Sequence, residues 1–112
     1  MTINASGLEF KELNERIRNT EEDVEIKGCM GQRFIAAGLC GKHIKISGVP
    51  GNALGAYLNG AEISVFGNAQ DAVGDTMNEG KIYIHGNIGD AAGYAMRGGE
   101  IYVRGNAGYR AG

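Results

Sequence analysis

The stretch IYIHGNIGDAAGYAMRGGE, residues 82–100, contains the pattern that decides the fold. It begins with alternating apolar residues, continues through glycines spaced three and four residues apart, and ends near two more glycines. The same pattern occurs as ISVFGNAQDAVGDTMNEGK at residues 63–81 and as IKISGVPGNALGAYLNGAE at residues 44–62. Equivalent residues therefore recur every nineteen positions, which is a period typical of a solenoid.

The repeat extends beyond these three copies in both directions. A looser copy, with about one residue inserted, starts at Val24, and a partial copy starts at Ile101. Of the twenty glycines, only Gly7 precedes this region. Two glycine series keep the nineteen-residue step: Gly48, Gly67, Gly86 and Gly105, and Gly55, Gly74, Gly93 and Gly112.

The length and composition of the repeat select one kind of solenoid. Nineteen residues are too few for two helices with their turns, and the chain has too few leucines for a leucine-rich repeat. Glycine supplies corners that need a positive φ or a close backbone approach, and we expect a positive φ at Gly86. We predict an all-β fold, a right-handed parallel β-helix with coils of about 19 residues, because crossovers between parallel strands favour that hand. The predicted coils are residues 24–43, 44–62, 63–81, 82–100 and a partial 101–112.

Stacked coils would align equivalent side chains in columns. The sequence predicts an asparagine ladder with bonded side-chain amides, a column of alanines, charges of alternating sign, and Tyr83 stacked on Tyr102 at the solvent face. The first three columns are Asn68, Asn87 and Asn106; Ala53, Ala72 and Ala91; and Glu62, Lys81 and Glu100.

The two ends of the repeat region differ. Residues 1–23 are predicted to form a helical cap, with a capping box of Ser6 and Glu9 and a helix over roughly residues 7–19. Its apolar face, with Phe10, Leu13 and Ile17, would cover the first coil. The chain stops at Gly112 halfway through a repeat. We expect either a fragment of a longer protein, the favoured interpretation, or an end covered by another chain, which includes end-to-end homo-oligomers.

Composition excludes several classes of protein. Of 112 residues, 43% are hydrophobic and 21% are charged, which argues against disorder, and the net charge of −2 argues against nucleic-acid and membrane-surface partners. The N-terminus lacks the basic and apolar regions of a secretion signal. Cys29 and Cys40 are most simply reduced thiols, so we expect a cytoplasmic protein.

Motifs for cofactors and metals are not found in the sequence. No two glycines are separated by one residue, which excludes the dinucleotide fingerprint and the calcium nonapeptide. Cys29, Cys40, His43 and His85 lack the spacing of zinc or iron–sulfur ligands, and both histidines are expected at the surface. Cys29 is expected to be a buried, inert thiol. The sequence therefore predicts no catalytic, cofactor-binding or metal-binding residues in this chain.

One column leaves an alternative open. Asp71 and Asp90 share it with Asn52 and Tyr109, so two carboxylates could form a cation site or an acid/base pair. A solvated corner in which the aspartates cap turns is favoured. Leu58, Met77 and Met96 form a further aligned column. We interpret its two methionines as core-filling residues rather than as a docking surface.

These glycine-rich strings resemble a known family. Residues 28–34 (GCMGQRF), 51–58 (GNALGAYL), 67–71 (GNAQD) and 86–99 (GNIGDAAGYAMRGG) look like the glycine-motif repeats of the C-terminal domain of the glutamate synthase large subunit, in its stand-alone form. Coverage is about residues 24–112. A related repeat occurs in one of the subunits of formylmethanofuran dehydrogenase.

The resemblance implies a right-handed β-helix without catalytic residues that holds glutaminase and FMN domains in place. The whole enzyme makes glutamate from glutamine and 2-oxoglutarate, with FMN and iron–sulfur clusters on other domains. This chain is shorter than stand-alone members, and Thr2 stands where the glutaminase domain would have its nucleophilic cysteine. The alternatives are a scaffold subunit of a formylmethanofuran dehydrogenase-type complex, and an independent carbohydrate-active enzyme that uses Asp71 and Asp90.

Overall fold

The alternating apolar residues of each repeat form strands. The computed structural model describes residues 1–106; Gly108, Tyr109 and Gly112, which belong to the predicted partial coil and its columns, lie outside them. The elements of the described part are β1 (Thr2–Asn4), α1 (Phe10–Arg18), β2 (Val24–Met30), β3 (His43–Val49), β4 (Asn59–Phe66), β5 (Glu79–Ile84) and β6 (Glu100–Val103).

The strands stack into one parallel sheet in the order β1–β2–β3–β4–β5–β6. Ile63 pairs with Ile44 on one side and with Ile82 on the other, so neighbouring coils are aligned at the nineteen-residue step. The fold is a β-solenoid of about five turns with one short helix near the N-terminus, which confirms the parallel β-helix prediction. Its right-handed sense stays a prediction.

The irregular spacing of the first repeat has a local cause. Val24 pairs with Ile44, twenty residues on, whereas Cys29 pairs with Gly48, nineteen residues on. The register shift between Ile26 and Cys29 places the inserted residue in a bulge of β2. The bulge absorbs the extra residue, so the rest of the coil returns to the common register.

Each of the four coils that precede β6 closes through a second wall that contains turns instead of a strand. We call β2–β6 the sheet wall, and residues 34–38, 53–57, 72–76 and 91–95 the turn wall. In every turn-wall segment the first, third and fifth residues have a positive φ between 53° and 71°. These residues are Phe34, Ala36 and Gly38; Ala53, Gly55 and Tyr57; Ala72, Gly74 and Thr76; and Ala91, Gly93 and Ala95.

Hydrogen bonds between coils also hold the turn wall. The N–H of Ala53 donates to the carbonyl of Asp71 in the next coil at 2.9 Å. The N–H of Gly55 donates to the carbonyl of Ile35 in the previous coil, also at 2.9 Å. The left-handed residues therefore point their donors alternately forward and backward along the axis. The turn wall satisfies its buried backbone groups without extended strands.

The core lies between the two walls. The inward residues of β2–β5 are almost fully buried, and so are Leu54, Leu58, Val73 and Met77 from the other side of the coil. Met96 is partly buried against the same cluster. Both methionines therefore fill the core, as predicted. The inward sheet-wall residues include Ile44, Ile46, Ile63, Val65, Ile82 and Ile84.

Gly86 does not have the positive φ expected of it. The structure requires glycine there for a different reason, which is a close approach between coils. A Cβ atom at Gly86 would lie 2.6 Å from the carbonyl oxygen of Gly67, and one at Gly105 would lie 2.6 Å from that of Gly86. The expectation of a left-handed corner at Gly86 is therefore wrong, whereas the need for glycine stands.

The N-terminal segment covers the first coil with a strand as well as a helix. β1 pairs with β2, with Ile3 beside Ile26, an element that the sequence analysis does not foresee. Helix α1 begins at Phe10, and its N-cap residue Glu9 makes no side-chain capping hydrogen bond. The capping-box prediction is therefore wrong, while Leu13 and Ile17 are buried as expected.

Polar side chains attach the helix to the first coil. Asn14, which is buried on the helix, donates from Nδ2 to the carbonyl of Phe34 at 2.8 Å and accepts the N–H of Ala36 at 2.8 Å. The Lys42 ammonium donates to the carbonyl of Ile17 at 2.6 Å near the helix C-terminus. Across residues 1–106, no helix is long and apolar enough to cross a bilayer.

Candidate functional site

Asp71 and Asp90 lie at the exposed corner that the sequence singles out, and they are linked through the backbone. The N–H of Asp71 donates to Oδ1 of Asn52 at 3.0 Å, and the N–H of Asp90 donates to Oδ1 of Asp71 at 2.8 Å. Each acceptor side chain thus caps a backbone N–H of the following coil. The predicted exposed corner is confirmed, but Asp71 bonds to the next coil and not to its own turn. Tyr109, the next residue of this column, lies outside the described residues.

The asparagine column forms a second ladder of the same kind. The N–H of Asn87 donates to Oδ1 of Asn68 at 2.8 Å, and the N–H of Asn106 donates to Oδ1 of Asn87 at 2.8 Å. The predicted ladder exists, but its donors are backbone N–H groups and not side-chain amides. The two ladders place an oxygen acceptor beside successive coils, which fixes their stacking.

The two cysteines occupy opposite environments. Cys29 is buried in β2, and burial raises the pKa of its thiol to about 11, although a backbone hydrogen bond from Gln32 opposes the shift. The prediction that Cys29 is buried is confirmed. The raised pKa disfavours the thiolate that a reactive cysteine needs, which supports the prediction of an inert thiol. Cys40 is exposed, and both cysteines are free.

Both histidines lie at the surface, as expected. His43 Nε2 is 3.2 Å from a carboxylate oxygen of Glu62, its neighbour on the next strand. This pair borders an open groove of about 360 Å³ on the solvent face of β2–β4, lined also by Glu25 and Lys45. The groove brings charges of both signs together on an exposed surface, where ion pairs contribute little to stability.

Aromatic rings form a patch on the solvent face of β4–β6. Tyr83 stacks on Tyr102 with ring centroids 5.1 Å apart and planes tilted by 9°, which confirms the predicted stacking. Phe66 stacks on His85 at 4.6 Å, a pair that the sequence analysis missed. The positions of these two residues, nineteen apart in the repeat, were a signal that could have revealed it. Stacked rings therefore join three successive coils on this face.

The predicted charge column keeps its register. Lys81 pairs in the sheet with Glu62 on one side and with Glu100 on the other, so opposite charges alternate along the axis. This arrangement favours the observed stacking order of the coils.

The described side chains form no metal-binding cluster: within residues 1–106, no three histidine, cysteine or acidic side chains converge to hold an ion. The ladder side chains Asn52, Asn68, Asp71 and Asn87 are engaged in bonds between coils. Chemically, this arrangement can hold a stack together and present a rigid, mixed-charge surface with aromatic rings.

The residues that sequence reasoning missed most clearly are those that join the N-terminal segment to the first coil. Besides Asn14, Gln32 donates from Nε2 to the carbonyls of Ala5 at 2.9 Å and Leu8 at 3.1 Å, and its Oε1 accepts the N–H of Met30. Gln32 thereby ties the N-terminal segment to the first coil. Its column contains a second glutamine, Gln70, two coils on, with Gly51 between them, and this recurrence was a signal that could have drawn attention to the position.

Comparison with known proteins identifies a family. The family described as the GXGXG motif matches residues 6–112. Searches of curated proteins and of solved structures return no match.

The motif's spacing has a direct counterpart in the turn wall. A GXGXG motif has glycine at every second residue, three times in succession. The left-handed residues of each turn-wall segment have the same spacing. This chain has glycine at the central position in three segments, Gly55, Gly74 and Gly93, and alanine at the first position of the same segments. The chain belongs to the GXGXG motif family, the glycine-motif domain found at the C-terminus of the glutamate synthase large subunit.

Proposed function

We propose that this chain is a non-catalytic scaffold domain or subunit of a glutamate synthase-like complex. In that complex it positions the glutaminase and FMN-binding domains, which together make glutamate from glutamine and 2-oxoglutarate. The observation that carries the proposal is the match to the glycine-motif family over residues 6–112. FMN and iron–sulfur clusters are assigned to the partner domains, and the complex to the cytoplasm.

The interior of the solenoid supports a role in positioning. A single buried cluster runs through all the coils, and both walls are hydrogen-bonded from coil to coil. Close-packed protein interiors resist deformation, so surfaces on different coils would keep a fixed separation. A spacer between two catalytic domains needs this property.

The corner ladders support the same proposal. Asp71 accepts a bond from the next coil, because its Oδ1 holds the backbone N–H of Asp90 at 2.8 Å. A side chain committed to this bond stabilises the stack. We therefore assign Asp71 a structural role in the stacking of coils and not a catalytic role.

Affinity capture with the full chain as bait tests the assembly. We expect recovery of a glutaminase chain and an FMN-containing chain from the source organism, in constant ratio to the bait. Recovery of a tungsten- or molybdenum-containing protein would instead identify a formylmethanofuran dehydrogenase-type complex. Capture of neither set would contradict the proposal.

An isosteric double variant tests the non-catalytic role. Asp71→Asn with Asp90→Asn keeps an oxygen acceptor at each ladder position and removes both carboxylates. We expect the reconstituted complex to retain its rate of glutamate formation within about twofold, because neither carboxylate takes part in catalysis under this proposal. The fold should also be preserved, since surface changes of this kind shift the free energy of unfolding by roughly 0.5 kcal/mol or less. A large loss of activity with an unchanged melting temperature would indicate that the carboxylates take part in chemistry.

A further inference from the structure

The turn wall contains few polar side chains, and these lie close together. Its four segments include one charged residue, Asp75, and the other side chains with polar atoms are Tyr57, Thr76 and Tyr94. All four belong to the second, third and fourth coils, whereas helix α1 bonds to this wall in the first coil. We call these four residues the turn-wall patch.

Hydrogen bonds between coils fix the arrangement of the turn-wall patch. The N–H of Tyr57 donates to the carbonyl of Asp75 at 2.8 Å, and the N–H of Thr76 donates to the carbonyl of Tyr94 at 2.8 Å. The nineteen-residue step places Asp75 and Tyr94 in one column, and Tyr57 and Thr76 in the next. Because strands of neighbouring coils lie about 4.8 Å apart, the two tyrosines are about 10 Å apart along the axis, with Asp75 between them.

The side chains of the patch are exposed around a carboxylate that is held in place. Tyr57 is 58% exposed and Tyr94 is 67% exposed, whereas Asp75 is partly buried. The hydroxyl of Thr76 donates to Oδ1 of Asp75 at 3.0 Å. A carboxylate has about four lone-pair sites, so this bond orients Asp75 and leaves acceptor capacity for a further donor.

The fold does not require these side chains. Ala56 occupies the column of Asp75 and Tyr94 in the second coil, and Ala95 occupies the column of Tyr57 in the fourth. Tyr57 also has a φ of 58°, a region that disfavours bulky residues, although more than half of its side chain lies in solvent. Strain that core packing does not demand is typical of functional positions.

We propose that the turn-wall patch docks a partner protein through an arginine, whose guanidinium pairs with Asp75 between the rings of Tyr57 and Tyr94. Arginine suits this position because its planar fork pairs with a carboxylate through two hydrogen bonds and also stacks on aromatic rings. A cation is attracted by a ring within about 6 Å. A guanidinium at Asp75 would lie about 5 Å along the axis from each tyrosine.

The charge around the patch supports a basic partner surface. The turn-wall segments contain no basic residue, and Asp71 and Asp90 are exposed at the adjoining corner. A surface of one sign of charge favours a partner of the opposite sign and accelerates the encounter. Tyrosine and arginine are also the residue types that contribute most at protein interfaces. This inference rests on the scaffold proposal for the identity of the partner, and it adds the surface and the chemistry that hold that partner.

Site-specific photo-crosslinking in the source organism tests the surface. Ala95 of the full chain is replaced by the photoreactive residue benzoylphenylalanine. Ala95 is exposed beside Tyr94, and its column accommodates an aromatic side chain in the same left-handed conformation at Tyr57. We expect an adduct with one partner chain, on a surface of that chain that contains an arginine.

Variants of the patch test the chemistry. Asp75→Asn should lower the adduct yield, and the affinity for the purified cross-linked chain, roughly tenfold or more, because the amide keeps the shape but loses the charge. Tyr57→Ala with Tyr94→Ala should have a similar effect, with little change in melting temperature, since alanine already occupies both columns. Glu79→Gln is the matched control: it removes one exposed negative charge from the same coil and should change neither quantity.

A reciprocal exchange identifies the arginine. Asp75→Arg should abolish the adduct, and replacing the cross-linked arginine of the partner chain with aspartate should restore it, because the ion pair is then reversed. A partner variant that fails to restore the adduct, in a chain that still folds, would contradict the pairing.

The outcomes separate this inference from the scaffold proposal. An adduct on an arginine-containing surface of a chain that is neither a glutaminase nor an FMN protein would uphold the patch and contradict the scaffold proposal. Capture of both expected chains, with equal adduct yields from wild type and Asp75→Asn, would overturn the patch and leave the scaffold proposal intact. The absence of any adduct at position 95, or an adduct on a surface without arginine, would also overturn the patch.

Discussion

The sheet wall and the turn wall of this solenoid face the same core but hold their coils together in different ways. On the sheet wall, extended strands pair at a fixed register, and branched side chains such as Ile63 and Ile82 fill the interior. On the turn wall, residues such as Ala72 and Gly74 adopt a left-handed conformation and bond to neighbouring coils. The first wall depends on side chains, and the second depends on backbone conformation.

This difference predicts opposite sequence requirements. The left-handed region costs a residue with a side chain roughly 1–2 kcal/mol, whereas glycine adopts it freely. A strand shows the reverse, because glycine weakens it and a branched residue packs well there. One repeat therefore contains two segments in which the same substitution has effects of opposite sign.

The largest effect is expected at the corner where the walls meet. Gly86→Val would place a Cβ atom 2.6 Å from the carbonyl oxygen of Gly67, so two coils would have to separate. Overpacking costs about 1–3 kcal/mol even where neighbouring side chains can move aside. The group that clashes here is a backbone carbonyl, which cannot move aside without displacing its coil. We expect a loss of about 3 kcal/mol or more, measured as urea unfolding or as a failure to fold.

His85→Val is the control for that substitution. It introduces the same side chain one residue earlier, at an exposed position directly after β5. A change of less than about 1 kcal/mol is expected there. If Gly86→Val melted at the wild-type temperature, the close approach of the coils at this corner would be refuted.

The sheet wall should respond to lost volume. Ile63→Ala removes a fully buried side chain between Ile44 and Ile82, and truncations of this type cost about 2–5 kcal/mol. Ser64→Ala, the adjacent residue on the solvent face, should change stability by about 0.5 kcal/mol or less. Equal losses for both variants in denaturant unfolding would contradict the assignment of inward and outward faces.

The repeat explains which parts of this structure were predictable. Columns such as Ile63 and Ile82, or Tyr83 and Tyr102, follow from the period and the alternation of a strand, and the structure confirms them. β1 has three residues, too few for alternation to be visible, and it forms because β2 offers an open edge. Asn14 lies on an apolar helix face, and its partners are backbone groups of the first coil.

The turn wall was the least predictable part of the repeat. Alanine has a high helix propensity and gives no local signal of a left-handed conformation. Ala53, Ala72 and Ala91 adopt it because bonds between neighbouring coils over-determine the backbone of these segments. Their alignment two residues before Gly55, Gly74 and Gly93 is the pattern that carries the information, and it has meaning only when the coils are stacked.

A smaller effect is expected from the ladder at the corner between the two walls. Asn87→Ala removes the acceptor for the N–H of Asn106 and should cost about 1 kcal/mol, the typical net contribution of a hydrogen bond. Asn87→Asp keeps an oxygen in place, as Asp71 does in the neighbouring ladder. It should therefore retain most of the stability near neutral pH, and equal losses for both variants in urea unfolding would argue against an acceptor role.

The smallest effect provides the sharpest comparison between the walls, because one substitution is made in both. Ala72→Gly on the turn wall relieves a left-handed alanine at a φ of 59°, and the gain exceeds the entropy that glycine adds to the unfolded chain. We expect stabilisation by about 0.5 kcal/mol. Ala61→Gly on the sheet wall removes a buried methyl group from β4 and should destabilise by about 1 kcal/mol.

The sign of these two changes, measured by chemical unfolding under identical conditions, is what matters. Stabilisation at residue 72 requires relief of the left-handed conformation, since glycine otherwise adds entropy to the unfolded chain. Destabilisation at residue 61 reports the lost buried methyl group and the cost of glycine in a strand. Changes of the same sign would indicate that the left-handed geometry of Ala72 carries no strain. In that case the bond from Ala72 to the next coil, and not conformational freedom, would determine which residues the turn wall accepts.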